Sequence, residues 1–168
     1  MKNPDEHETS YTFDPLGRMR SMIDGRGNTT RFNYDSNGNL TVTAKPLDVT
    51  ETMSYDAADH MTGFKNGRDY VTEYKYDPMG RLIYEKDPEN NVKEYFYDGN
   101  GNLTKTTDAN KGDTIFEYDA ENKLKKITTP EENVTEYKYD NAGRLTNVID
   151  ARKGDTVIGS DDMTGTET

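Results

Sequence analysis

An aromatic residue followed by aspartate recurs every 21 residues along this 168-residue chain, without an insertion or a deletion. The seven pairs are Phe13-Asp14, Tyr34-Asp35, Tyr55-Asp56, Tyr76-Asp77, Tyr97-Asp98, Tyr118-Asp119 and Tyr139-Asp140. A fixed period of this kind is the signature of a repeat protein, in which each unit packs against its neighbours. The period therefore requires that every repeat adopt the same local structure.

Three further columns keep the same period when positions are counted from the aromatic residue as zero. Position six is always apolar: Met19, Leu40, Met61, Leu82, Leu103, Leu124 and Leu145. Position nineteen is also apolar: Phe32, Met53, Tyr74, Tyr95, Phe116, Tyr137 and Ile158. Position four is Gly17, Gly38, Asp59, Gly80, Gly101, Asn122 or Gly143. Asp and Asn are the residues other than glycine that best tolerate a positive φ, so position four predicts a left-handed residue.

Each repeat is predicted to form two strands and two turns. The first turn has the pattern Asp-x-x-Gly, as in residues 77–80, which is typical of a type I turn closed by a glycine bulge. The second turn, as in residues 24–28 and 129–133, is predicted to be looser. The segments between the turns are rich in Thr, Tyr, Val and Ile. The sequence thus predicts an all-β fold of tandem antiparallel β-hairpin repeats.

The columns also predict a register and two unlike faces. A four-residue loop at positions eleven to fourteen would place Leu82 between Tyr74 and Tyr95. The apolar columns would share one face, and charged residues such as Glu73 and Lys75 would occupy the other. A flat strip would expose a large aromatic surface. We therefore expect a curled or spiral β-strip or partial shell, or pairing with another copy.

Residues 8–160 are assigned to the seven repeats, residues 1–7 to a polar N-terminal segment and residues 161–168 to a disordered polar tail. The first ten residues are acidic and polar and do not look like a signal peptide. A secreted parent protein would therefore carry its export signal upstream of this chain.

Composition excludes several classes of partner. The chain has 32 acidic and 21 basic residues, so its net charge is −11. Such a surface repels nucleic acid and anionic lipid, and no apolar stretch is long enough to insert into a membrane. Cysteine is absent, which excludes disulfides and thiolate metal sites. No cofactor is expected.

Residues 76–82, 97–104 and 139–146 resemble YD repeats, also called RHS repeats. Such repeats occur in bacterial polymorphic toxins, wall-associated proteins, insecticidal toxin complexes and teneurins. The resemblance implies a strip that spirals into a hollow shell, an extracellular or cell-surface location, and a structural function. Its partners would be its own flanking repeats or other copies of itself. The repeat positions expected to carry this structure are Tyr34, Tyr55, Tyr76, Tyr97, Tyr118, Tyr139, Leu40, Leu82, Leu103, Leu124, Leu145, Gly38, Gly80, Gly101 and Gly143.

Other interpretations of the recurring side chains remain open. The repeat aspartates could form a calcium ladder, although capping of the turns is the favoured interpretation. The tyrosine column could bind carbohydrate, although it is also the only available core. No serine lies in a strained nucleophile elbow, so catalysis is not expected. The only histidines are His7 and His60 and no third ligand accompanies them, so a zinc site is not expected either.

Four asparagines lie in N-glycosylation sequons and are candidate modification sites: Asn28, Asn39, Asn102 and Asn133. The function predicted from the residues is that of a structural module. The alternatives are a filament subunit that assembles edge to edge, or a carbohydrate-binding surface.

Overall fold

The computed structural model describes residues 8–150 and the backbone of residues 154–157, and every regular element in these ranges is a β-strand. The chain divides into two compact units, Met1–Asn90 and Asn91–Thr168. The predicted segments 1–7 and 161–168 lie outside the described residues. Within the described part of the chain, no helix is long and apolar enough to cross a membrane.

In the described residues, the first unit contains eight strands and the second contains seven. Those of the first unit are β1 (Ser10–Phe13), β2 (Met19–Ile23), β3 (Thr29–Tyr34), β4 (Leu40–Ala44), β5 (Thr50–Tyr55), β6 (Met61–Lys65), β7 (Val71–Tyr76) and β8 (Leu82–Lys86). Those of the second unit are β9 (Val92–Tyr97), β10 (Leu103–Thr107), β11 (Asp113–Tyr118), β12 (Leu124–Thr128), β13 (Val134–Tyr139), β14 (Leu145–Asp150) and β15 (Gly154–Val157). Within each unit, consecutive strands pair antiparallel in chain order. The predicted fold class is confirmed.

The two turns of a repeat have the same construction, which the sequence did not predict. In the first turn the N–H of Asp77 donates to the carbonyl of Arg81, and the N–H of Gly80 donates to the carbonyl of Asp77, both at 2.9 Å. In the second turn the N–H of Asp108 donates to the carbonyl of Gly112 and the N–H of Lys111 to that of Asp108, both at 3.0 Å. The predicted four-residue loop is therefore wrong, because each of these loops has three residues.

The three-residue form of the second turn is hard to predict because its left-handed residue is not clearly marked in the sequence. Lys111 and Glu132 adopt φ values of 65° and 61° there, although neither residue type favours a positive φ. The same column contains Gly27, Asp48, Asp69 and Asn90, with φ between 59° and 82°. Because Lys and Glu stand in this column beside Gly, Asp and Asn, it is a weaker sign of a left-handed position than the column of the first turn, which contains only Gly, Asp and Asn.

The predicted register is also wrong by a small shift. Leu82 lies opposite Tyr76 and not opposite Tyr74, whose partner is Glu85. The ladder shifts between Lys75 and Tyr76, because one extra residue in β8 forms a β-bulge. The bulge keeps Leu82 and Tyr76 on one face.

The bulge also adds a column that sequence reasoning missed. Position nine faces position nineteen, as in the pairs Phe116 with Ile127 and Tyr137 with Val148. Opposite residues of an antiparallel pair share a face, so position nine belongs to the apolar stripe. This column also contains Thr and Glu, which concealed it in the sequence.

The apolar stripe is only half-buried. Along β7, Tyr74 and Tyr76 are partly buried while Glu73 and Lys75 are exposed, as the predicted alternation requires. Among the described residues no apolar side chain is buried. The only buried residues in that part of the chain are two polar ones, Thr43 and Thr107, each 7% exposed. Stripe residues are therefore covered by neighbours within one layer of sheet.

Candidate functional site

The aspartate that follows each aromatic residue caps its own turn. In the fourth repeat, Oδ1 of Asp77 accepts hydrogen bonds from the N–H groups of Met79 and Arg81 at 2.9 and 3.0 Å. Its Oδ2 accepts a bond from Nε of Arg81 at 2.6 Å. The other six repeats cap the turn with the equivalent aspartate. An Asp at the first position of a turn satisfies backbone donors in this way.

These contacts lower the pKa of the aspartates. The backbone N–H of Arg144 and then its guanidinium hold the pKa of Asp140 below its ordinary value. For Asp98 the side-chain amide of Asn102 is the main cause of the lowered pKa. The carboxylates are thus engaged as acceptors within their own turns. Among the described residues, no group of three acidic or histidine side chains converges as a metal site would require.

The tyrosine of the repeat links one repeat to the preceding one. Its hydroxyl donates a hydrogen bond to the carbonyl oxygen of the residue fifteen positions earlier, which is position six of the preceding repeat. Five such bonds lie within the two units, at 2.8 to 3.0 Å: Tyr34 to Met19, Tyr55 to Leu40, Tyr76 to Met61, Tyr118 to Leu103 and Tyr139 to Leu124. The preference for Tyr over Phe at this position was the sign of this hydrogen bond in the sequence. Interpreting the column only as apolar did not use that preference.

The environment of the Tyr55 and Tyr118 hydroxyls favours their protonated form. Burial raises the pKa of Tyr55 and Tyr118, and the carboxylates of Asp35 and Asp98 in the preceding repeats raise it further. A protonated hydroxyl is required for donation to a carbonyl. The tyrosine column therefore forms a series of hydrogen bonds to the backbone of the preceding repeats.

The tyrosine rings are covered by side chains from the preceding repeat. The guanidinium of Arg18 lies over the ring of Tyr34, 4.8 Å from its centroid, which is a cation–π geometry. The ring of His60 stacks on Tyr76 with centroids 4.8 Å apart, and Nζ of Lys123 lies 5.4 Å from the centroid of Tyr139. A sugar could stack on these ring faces only by displacing the covering side chains.

The predicted leucine and glycine positions occupy equivalent places in every repeat. Leu40, Leu103, Leu124 and Leu145 each lie opposite the aromatic residue of their own repeat, as Leu82 does. The four predicted glycines have positive φ, between 79° and 99°: Gly38, Gly80, Gly101 and Gly143. Asp59 and Asn122 take the same conformation at 64° and 63°. Tyr97 ends β9 opposite Leu103.

Two surface hollows occur at the same place in different repeats. One lies beside Lys123, Lys125 and Tyr139 in the second unit, and the other beside Arg18, Arg20 and Tyr34 in the first. Both are open at the surface and polar, and each contains a turn aspartate that already caps its turn. They contain no arrangement of nucleophile and base.

The four sequon asparagines all use their side-chain amide inside the fold. Nδ2 of Asn28 donates to Asp24 at 2.8 Å, and Nδ2 of Asn133 donates to Oγ1 of Thr129 at 3.3 Å. Nδ2 of Asn39 and of Asn102 makes two hydrogen bonds each. A glycan removes one amide proton, so attachment would cost a hydrogen bond at Asn39 and Asn102, whereas Asn28 and Asn133 each retain a proton for their single bond.

Comparison with known proteins agrees with this architecture. The family model described as Teneurin YD-shell matches residues 1–125, and the model described as RHS Repeat matches residues 118–155. No curated protein matches the chain.

Solved structures with a similar fold include two that cover most of this chain. The crystal structure of TcdB2-TccC3-Cdc42 has a TM-score of 0.70 and 22% sequence identity over 88% of this chain. A Photorhabdus luminescens Tc holotoxin pore with a substituted TccC3 has a TM-score of 0.69 and 22% identity over 88% of the chain. The matched part is 9% of the length of each of those chains. With a 21-residue period, an aspartate-capped turn in each repeat and a family model that matches most of its length, the chain belongs to the teneurin YD-shell family of YD/RHS-repeat proteins.

Proposed function

We propose that this chain is a structural segment, a stretch of shell or scaffold wall, of a secreted or cell-surface YD-repeat protein, and that it does not act as an enzyme. The observation that supports this most is the use of the recurring polar groups. The tyrosine hydroxyls hold successive repeats together and the aspartates close their turns. The side chains that recur most regularly therefore maintain the wall.

The location and the form of the parent protein can be tested together. An antibody against this chain should label intact cells or recover the parent protein from culture fluid. Protease added to intact cells should remove the antibody signal while a cytoplasmic marker stays intact. Electron microscopy of the recovered parent should show a hollow β-walled particle. A parent found only inside intact cells, or a particle without such a wall, would contradict the proposal.

Edge-to-edge assembly into a filament is less well supported. β1 and β15 both belong to the strand type that ends at the aromatic residue. Within each unit this type pairs only with the strand type that follows the Asp-x-x-Gly turn. Two copies placed end to end would bring two strands of the same type together, so they would not reproduce the interface between repeats.

A carbohydrate-binding surface is the other alternative, and the two equivalent hollows are its best location. The cations over Tyr34 and Tyr139 occupy one face of each ring, which reduces the area available for stacking. Titration of the chain with neutral and acidic oligosaccharides, followed by tyrosine fluorescence, would test for binding. Saturable binding that is lost in Tyr139→Ala would favour this alternative.

A further inference from the structure

The turns at positions one to four make side-chain contacts from one repeat to the next. The residue at position five, just after the turn, reaches the turn that lies 21 residues further along. For example, Nη1 of Arg18 donates to the carbonyl oxygen of Asp35 at 3.3 Å. This contact is separate from the backbone ladder and from the tyrosine bond, so the identity of its residues can vary without changing the strands.

In one class of contact, two asparagines meet a left-handed residue that has a side chain. Nδ2 of Asn37 and Nδ2 of Asn39 both donate to Oδ1 of Asp59, at 2.8 and 2.5 Å. In the second unit, Nδ2 of Asn100 and Nδ2 of Asn102 both donate to Oδ1 of Asn122, at 2.9 and 2.8 Å. Positions three and five of one repeat thus converge on position four of the next.

In the other class, a cationic or imidazole side chain meets a glycine. A Cβ built on Gly80 would lie 2.6 Å from Nε2 of His60, which is too close for the ring to stay in place. A Cβ on Gly38 would lie 3.7 Å from Nη1 of Arg18, and one on Gly143 would lie 3.5 Å from Nζ of Lys123. The absence of a side chain at position four leaves room for the longer residue from the preceding repeat.

The two classes do not mix in the five contacts within the units. Asn at positions three and five precedes Asp59 and Asn122, while Arg18, His60 and Lys123 precede glycine. The sequence pair Arg81 and Gly101 follows the same rule. We propose that positions three and five of one repeat and position four of the next form a recognition code that determines which hairpin can follow which.

The two classes of contact have opposite requirements at position four, because one needs a side chain there and the other excludes it. Opposite a pair of asparagines, glycine would leave two amide donors without their acceptor. Opposite His60, a side chain at position four would displace the ring from Tyr76 and from Asp56, whose Oδ2 lies 3.1 Å from Nδ1. The code limits which repeats are compatible as neighbours, whether or not the wall encloses another polypeptide.

An exchange of one class for the other tests the code. The asparagine set of the fifth repeat can be moved onto the third repeat in three variants of the full chain: Gly80→Asn alone, Ala58→Asn with His60→Asn, and all three changes together. Gly17→Asn is the matched control, because Gly17 has the same φ of 79° as Gly80 and nothing lies within 4 Å of a Cβ built on it. The control measures the backbone cost of a left-handed asparagine without a neighbour.

We expect Gly80→Asn to lower the melting temperature by about 2–4 °C more than Gly17→Asn does, if the mismatch costs on the order of 1 kcal/mol. The double variant should also melt lower than the wild type, and the triple variant should melt higher than the sum of the two losses predicts. If Gly80→Asn does not fold, a triple variant that melts at or above the double variant still supports the code. Equal losses at Gly17 and Gly80, or strictly additive losses in the triple variant, would overturn it.

Discussion

The hydroxyl of Tyr139 donates a hydrogen bond to the carbonyl oxygen of Leu124, 2.8 Å away and fifteen residues earlier in the chain. The ladder between β12 and β13 runs from Thr128 and Val134 to Lys126 and Glu136, so Leu124 lies beyond its last pair. The tyrosine therefore provides a donor to a carbonyl that the neighbouring strand does not pair. The same bond in the other repeats explains why the repeat needs tyrosine and not only an aromatic ring.

Tyr139→Phe should lower the free energy of unfolding by about 1 kcal/mol, the usual net value of one hydrogen bond. Tyr137→Phe is the matched control, because Tyr137 lies on the same face of the same strand and its hydroxyl has no hydrogen-bond partner among the described residues. Urea denaturation of the two variants measures the difference. Equal losses would mean that the bond to Leu124 does not stabilise the chain.

Leu103→Ala should cost about 1–2 kcal/mol, less than a leucine in a closed core, because Leu103 is only half-buried against Tyr97. Lys138→Ala, on the opposite face and exposed, should change stability by less than about 0.5 kcal/mol. The urea midpoints of both variants measure these two losses of stability. A loss of about 4 kcal/mol or more at Leu103 would show that another layer covers the stripe.

Acid should destabilise the chain below about pH 4. The pKa of all seven turn aspartates is lower in the folded chain than its ordinary value. Their stabilising effect is therefore complete above the unfolded pKa and is lost as the pH falls through the folded pKa. The urea midpoint should stay nearly constant between pH 7 and 5 and then fall.

Asp98→Asn is the control for this pH dependence. Because it removes one titrating carboxylate, its midpoint should fall less steeply below pH 4 than that of the wild type. A wild-type midpoint that already declines between pH 7 and 5 would contradict the assignment to the turn aspartates.

Removal of divalent cations should leave the melting temperature unchanged. Both carboxylate oxygens of Asp77 and of Asp140 accept hydrogen bonds from their own turns, so they are engaged without an ion. The measurement compares thermal unfolding with EDTA and with added calcium. A rise of several degrees with calcium would revive the calcium-ladder interpretation.

The purified chain should not grow into filaments at high salt. Salt screens the repulsion that a net charge of −11 causes, but β1 and β15 still lack complementary strand types. Light scattering and electron microscopy over a range of protein and salt concentrations would detect growth. Rods whose length increases with concentration would favour the filament alternative.

The sequence by itself determined the elements and their faces. Asp followed three residues later by Gly, Asp or Asn predicts the first turn, as in residues 77–80, because turn chemistry is local. The alternation of Tyr74 and Tyr76 with Glu73 and Lys75 predicts one apolar and one charged face, because side chains alternate along a strand. The aspartate caps followed from the same local chemistry.

Only the tertiary structure decided the register and the contacts between repeats. The bulge residue is Thr in most repeats but Arg20 in the first, Ile83 in the fourth and Lys125 in the sixth, so no residue type marks it. The acceptor of Tyr139 is a backbone carbonyl fifteen residues away, which no side-chain pattern can show. The pairing of Asn39 with Asp59 likewise depends on how two turns stack. These features arise between repeats, where backbone geometry and neighbouring strands select the partner, whereas turns and faces are set within a few consecutive residues.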